Sequence, residues 1–226
     1  MPPSPATKTS NQNVWLHHPV TGELVRFGAP SADGRKVEGE LWLQPGAAVA
    51  RPHIHDFLTE SFRVHAGEIA LRVGGEERIV GPGDEVVEVP AGTIHDWWNA
   101  GDGVAKATVE IEATPSAGGN PANRFISFFE VLFSLAVLGE VDRRGAPKPL
   151  WLAAVAREYR DVIRLARPPA FVQAALLGPL AAIAKRIGRD PLAPELHGPK
   201  APCVIPDPEP DELAAILAEP ARLGSD

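Results

Sequence analysis

Two stretches decide the reading of this chain: GAAVARPHIHDFLTE at residues 46–60 and PGDEVVEVPAGTIHDWWN at residues 82–99. The first sets His53 and His55 two positions apart and brings Glu60 in after four intervening residues; the second brings in His95 behind the turn Pro90-Ala91-Gly92. Side chains at i and i+2 of a β-strand share a face. His53 and His55 can therefore enter one cavity while Ile54 points away. Pro52 suits strand entry or an edge better than the middle of a sheet. Glu60 opens a run in which Glu60, Phe62 and Val64 share a face, and His95 opens one shared with Trp97 and Asn99. A His-x-His pair by itself could sit exposed on an edge strand. The added carboxylate, the third imidazole and the glycine–proline punctuation favour one site. Three imidazoles and one carboxylate suit a single divalent ion (Fe, Mn, Ni, Cu or Zn), with nothing in the sequence to choose among these.

The surrounding sequence reads as short strands separated by turns. Apolar or alternating runs at 24–27, 37–43, 61–65, 69–73, 77–80, 85–89, 95–99 and 104–113 are punctuated by glycine and proline. Gly74-Gly75 between two such runs is a two-residue hairpin signal. Many short strands with glycine turns indicate a sandwich or barrel.

The two blocks resemble the paired signature motifs of the cupin superfamily: glycine, spacer, His-x-His, Glu, then Gly67 six residues on; and glycine, spacer, Pro-x-Gly, His, then Asn99 after three residues. Each glycine spacer, Gly46 to His53 and Gly83 to Pro90, carries one residue more than the usual pattern. The resemblance spans residues 14–113. It implies a double-stranded β-helix (a mainly β jelly-roll barrel) and a metal held by His53, His55, Glu60 and His95. The region after residue 120 resembles the helical tail of a group of bacterial cupin-domain proteins.

The expected organisation is a disordered leader at 1–13, the barrel at 14–113, a turn-rich linker at 114–123, a helical extension at 124–188 and a proline-rich tail at 189–226. Asn123 is the expected cap of a helix over 124–140 that is apolar nearly all round and hence buried. An amphipathic helix is expected over 149–166, with an Arg157–Asp161 ion pair at i,i+4 spacing. A third, very apolar helix over 170–187 contains Pro179 and should kink or break there. Residues 189–211 hold seven prolines and should be extended, with short helix at 212–218. The apolar runs at 125–139 and 170–184 fall short of the roughly 20 residues of a spanning helix. Burial on the barrel or in a homodimer is the expectation, with no membrane partner, and an amphipathic membrane-surface role is the alternative.

Net charge is −7, which argues against a nucleic-acid surface. The lone Cys203 excludes an internal disulfide. With no signal segment evident, a cytoplasmic location is expected. Phe62 and Trp97 are candidate pocket walls. Arg63, with Arg51 and Arg72, is a candidate anchor for an anionic oxygen, set against a solvated exterior position. His65 falls out of phase with Glu60, Asp84 reads as a turn residue, and Asn99 as a partner for turn backbone. A six-coordinate ion on four protein ligands would leave two positions for a small-molecule substrate. The resemblance implies a metal-dependent enzyme, with dioxygenase-type oxidation of a hydroxylated or carbonyl compound as the leading reading. A non-redox isomerase, cyclase or lyase and a non-catalytic binding protein are the alternatives. The barrel region lacks tyrosine, which lowers the sugar-isomerase version.

Overall fold

A computed structural model describes residues 12–218, apart from the side chains at 49–51 and 170. Ten strands come first: β1 (Trp15–His18), β2 (Glu23–Phe27), β3 (Lys36–Leu43), β4 (Ala48–Ile54), β5 (Leu58–Ala66), β6 (Ile69–Val73), β7 (Glu76–Val80), β8 (Val87–Val89), β9 (His95–Asn99) and β10 (Ala105–Ala113). Then follow helix α1 (Pro121–Val137), α2 (Pro149–Glu158), strand β11 (Arg164–Leu165), α3 (Ala170–Arg186), a 3-10 turn at Pro194–Leu196, β12 (Val204–Ile205) and α4 (Pro210–Ala218).

The strands form two antiparallel sheets, ordered β12-β1-β2-β3-β10-β5-β8 and β11-β4-β9-β6-β7. Alternation decides which side chains enter. Along β3, Val37, Gly39, Leu41 and Leu43 are buried while Glu38 faces solvent. On β10 the same alternation buries Ala105, Ala107, Val109 and Ile111. The inner faces meet through Phe62 of one sheet and Trp97 of the other, edge to face with ring centroids 5.3 Å apart. Val73 pairs with Glu76 across Gly74-Gly75. Both glycines have positive φ, 62° and 96°, as the tight hairpin turn requires.

Helix α1 packs against β1, β3 and β10. Phe125, Phe129 and Phe133 recur at i, i+4 and i+8, one helical face. Phe125 and Phe129 pack on Phe27 at 5.8 and 5.3 Å, and Phe133 stands edge-on to His18 at 5.1 Å. The buried Glu130 inside this apolar helix lies 3.0 Å from His197 Nδ1, supplied by the tail.

Several expectations about the extension need correction. The first helix begins at Pro121, capped by the Asn120 side chain accepting from Asn123 N–H at 3.1 Å; Pro121, lacking an N–H, suits the first helical turn. The second helix stops at Glu158 instead of 166, because the chain turns to pair β11 with β4. Asp161 therefore meets Arg124, at 2.7 Å, and not Arg157. Helix α3 runs through Pro179 as one element, and Phe171, Leu176, Ile183 and Ile187 stay exposed. The tail is not simply extended: Cys203 and Leu196 are buried, β12 pairs with β1, and α4 covers an outer cluster of Trp15, Leu24 and Trp42 through Leu213. No helix among the described residues is long and apolar enough to cross a membrane. The leader expected at 1–13 lies mostly outside the described residues, as does the chain beyond 218.

Candidate metal centre

The four expected ligands converge. His53, His55, Glu60 and His95 are each at most 4% exposed, and each offers a donor atom within 4.8 Å of the others. His53 and His95 are direct cross-strand partners of β4 and β9, their rings 4.2 Å apart. Glu60 comes from β5 in the opposing sheet. His55 is the first residue past the end of β4, and the ring still lies 4.9 Å from that of His53. The β4–β9 register slips between Ala48 and Ala50 and again between Ala50 and His53. Such bulges accommodate an added residue without displacing the ligands, which is how the longer Gly46–His53 spacer is absorbed.

Backbone carbonyls fix the rings. His55 Nδ1 donates to the Val162 carbonyl at 2.6 Å, and His95 Nδ1 to the Thr93 carbonyl at 3.0 Å. A carbonyl only accepts, so Nδ1 carries the proton in both rings and Nε2 is turned toward the cluster. His95 Nε2 lies 2.9 Å and His55 Nε2 3.8 Å from Glu60 Oε2. Burial holds His55 below the usual imidazole range, so the ring is neutral with a free lone pair. Burial also pulls His95 down, but the hydrogen bond and charge of Glu60, with the Thr93 carbonyl, outweigh it and leave His95 raised. Glu60 thus draws positive charge into the cluster. A divalent ion would supply that charge while using the Nε2 lone pairs, so the donor set fits a metal.

The remaining candidates fall into place by strand phase. Phe62 and Trp97 share the inner faces with Glu60 and His95 and are buried against each other. Arg63, one residue out of phase with Glu60, is exposed on the outer face, so it does not join the site. Arg72, paired with Glu77 and Asp96 and lying over Trp98, stands on the wall of a solvent-open groove beside His95. The side chain of Arg51 lies outside the described set. His65 meets Thr108 on the exterior. Asp84 caps its own turn by accepting from Gly81 N–H. Asn99 Nδ2 is shared among the carbonyls of Leu43, Gln44 and Gly103, and its Oδ1 accepts from Gly101 N–H. An open groove of about 490 Å³ reaches His95, lined by Pro52, Ile94, Ala166 and Arg167 among others.

Sequence reasoning missed three contributors: the Val162 carbonyl, Phe125, whose ring lies 6.0 Å from that of His55, and Glu23. The last is a carboxyl buried on the inner face beside Val25, its Oε1 without a hydrogen-bond partner. Burial, and secondarily the charge of Glu60, push its pKa well up. Only the shared parity of Glu23, Val25 and Phe27 could have signalled it.

Comparison with known proteins bears on the same region. The family model described as "Cupin domain" matches residues 40–111. The probable oxidoreductase patJ of Aspergillus clavatus and that of Penicillium expansum are each 35% identical over 79 residues, covering 35% of this chain and 24% of theirs. The matched segment thus spans about a quarter of those relatives. Similar solved structures include KdgF from Halomonas sp. (18% identity, 46% of this chain and 94% of that one, TM-score 0.39) and CapF from Staphylococcus aureus (22% identity, 48% and 32%, TM-score 0.40). A sugar phosphate isomerase from Silicibacter pomeroyi is 20% identical over 50% of this chain and 77% of its own (TM-score 0.37). The motif pair and the jelly-roll sheets that carry it thus lie in and around a segment, residues 40–111, that matches a cupin domain.

Proposed function

We propose that this protein is a mononuclear metal-dependent oxidoreductase that oxidises a small hydroxylated or carbonyl compound by dioxygenase-type chemistry. The observation that carries the reading is the buried set His53, His55, Glu60 and His95, with donor atoms within 4.8 Å of one another. The oxidoreductase class draws support from the name of the curated relatives, "Probable oxidoreductase patJ", over the shared 79 residues. When bound, a redox-active ion would supply electron transfer to dioxygen, and a non-redox one Lewis acidity.

The residues of the chain do the rest. His53, His55, Glu60 and His95 hold the ion, and the carbonyls of Val162 and Thr93 keep two of the rings in the ligating tautomer. Phe62, Trp97 and Phe125 are buried and give the interior beside the ligands apolar walls. The groove bounded by Pro52, Ile94 and Ala166 gives approach from the His95 side. Apolar walls around one chelating centre favour a flat, partly apolar molecule with neighbouring oxygens.

The test is metal analysis of the purified protein, followed by oxygen uptake with catechols, hydroxyketones and simple sugars. Iron or copper with uptake on an enediol-like compound is the expected result. Zinc with no uptake, and a cobalt-substituted spectrum perturbed by sugars alone, would replace the dioxygenase reading with Lewis-acid chemistry.

A further inference from the structure

The segment following α2 touches the ligand strand and its exit at several successive points. The Val162 carbonyl accepts from His55 Nδ1 at 2.6 Å. Arg164 pairs with Ile54 and Leu165 with His53 in an antiparallel ladder. Ala166 N–H donates to the Pro52 carbonyl at 3.1 Å. The Arg164 guanidinium reaches both carboxylate oxygens of Asp56, at 2.9 and 2.8 Å. Four consecutive positions of β4 and its exit, Pro52 to His55, are thereby held by residues more than a hundred positions later in the chain, outside the 40–111 region that the cupin family model covers.

We propose that Val162–Ala166 is a positioning strap for the metal centre, so that docking of the strap and metal affinity are thermodynamically coupled. The inference rests on the metal reading above and adds to it that the barrel alone does not make the full-affinity site. Without the Val162 carbonyl, His55 loses the partner that fixes its tautomer and ring plane. Without the β11 ladder, the strand that carries His53 has one free edge just where Pro52 leaves a gap in the hydrogen bonding. Loss of an outer partner of a ligating histidine typically lowers metal affinity about 10-fold to 100-fold. Coupling is reciprocal: if the docked strap tightens metal binding, bound metal must tighten the strap by the same factor.

The test measures Zn(II) and Co(II) affinity of the full chain by competition with a chromophoric chelator, for wild type, Arg164→Asp, Ala166→Pro, and the swap Asp56→Arg/Arg164→Asp. Arg164→Asp leaves two carboxylates beside His55, so charge alone would strengthen cation binding, whereas loss of the strap weakens it. The expected result is an affinity about 10-fold or more below wild type for both single variants. The swap, which restores the pair, should recover most of the loss. In wild type, added Zn(II) should slow amide hydrogen exchange at Ala166 more than in the β6–β7 hairpin, a readout that holds even where a variant folds poorly. Unchanged or tighter binding by Arg164→Asp, or equal protection of strap and hairpin, overturns the coupling while leaving the metal site in place. Wild-type protein that takes up neither ion overturns the metal reading itself.

Discussion

Replacing Phe133 by alanine tests whether the extension is a structural part of the barrel. Phe133 is 2% exposed. It stands edge-on to His18 of β1 at 85° and packs against Phe129 at 5.5 Å. Truncating a buried phenylalanine costs about 3–5 kcal/mol, the spread reflecting how far neighbours close the hole. In this corner the neighbours have little freedom: His18 is held by Thr21 N–H donating to its Nδ1 at 3.1 Å. The upper half of the range is therefore expected. For a chain of this size each kcal/mol lowers Tm by about 2–4 °C, giving a fall of roughly 8–20 °C. Thermal melting should be followed by far-ultraviolet circular dichroism, which reports helix, and by tryptophan fluorescence, which four of five tryptophans, Trp15, Trp42, Trp97 and Trp98, weight toward the strands. The two curves should shift together, because one cooperative core links helix and barrel. Phe171→Ala serves as control: Phe171 is 77% exposed, and its loss should change stability by no more than about 0.5 kcal/mol. A Phe133→Ala protein that melts within about 2 °C of wild type, or one whose helix signal alone shifts, would refute the shared core.

Replacing His55 and His95 together by alanine should abolish the single bound divalent ion, read by elemental analysis; full occupancy in that variant would sink the ligand assignment. Burial lowers the His18 pKa to about 4 from 6.5, so the unfolded chain binds the extra proton between those values. Stability owed to neutral His18 is then intact above pH 6.5, falls as pH drops toward 4, and amounts to about 3 kcal/mol. Buried Glu23 has the opposite sign, costing stability as pH rises above 4.5. The His18 part is therefore the difference between wild type and His18→Gln across pH-dependent denaturation curves, and an unchanged profile would refute it. Cys203, with its thiol pushed up to about 11 by burial, should resist a thiol-reactive dye in the folded protein and react at once in denaturant. A chain ending at residue 116 loses the Phe125–Phe133 stripe and should aggregate or melt far lower; an equally stable, soluble monomer would contradict the packing described. The homodimer expected from the apolar helices is checked by light scattering of the full chain, a mass of 24.1 kDa arguing against it.

The barrel was largely legible because strands declare themselves through period-two alternation, and because turns such as Gly74-Gly75 require particular residues. The ligands were legible for the same reason: a side chain whose strand phase is known has a known direction, as with Glu60 and His95. The same rule places Arg63 outside, three positions from Glu60 and so on the opposite face, and it was the anion-binding chemistry of arginine that suggested otherwise. The extension was harder. Apolar periodicity located three helices but not their ends, since α2 stops at Glu158 and the chain goes on to pair Arg164 and Leu165 with β4. The support of His55 by Val162 had no signature at all, because every residue carries a carbonyl. Pairs such as Arg164–Asp56 and Glu130–His197 bridge 108 and 67 positions, and charge alone does not announce a partner at that distance.

The two-residue strands β11 and β12 have a consequence for how this protein behaves before it is finished. Each pairs with a strand that would otherwise end its sheet, β4 in one and β1 in the other. An uncovered strand edge is a template for pairing with other chains, and β4 and β1 gain their covers only when residues 164 and 204 are made. During synthesis the barrel strands emerge first, with both edges bare and Phe27 not yet covered by Phe125 and Phe129. The cooperative fold therefore closes late, after residue 204 has left the ribosome, and the interval before that is when self-association competes. Chains cut short of residue 204 should accumulate as aggregates in the cell even though they contain the entire motif pair.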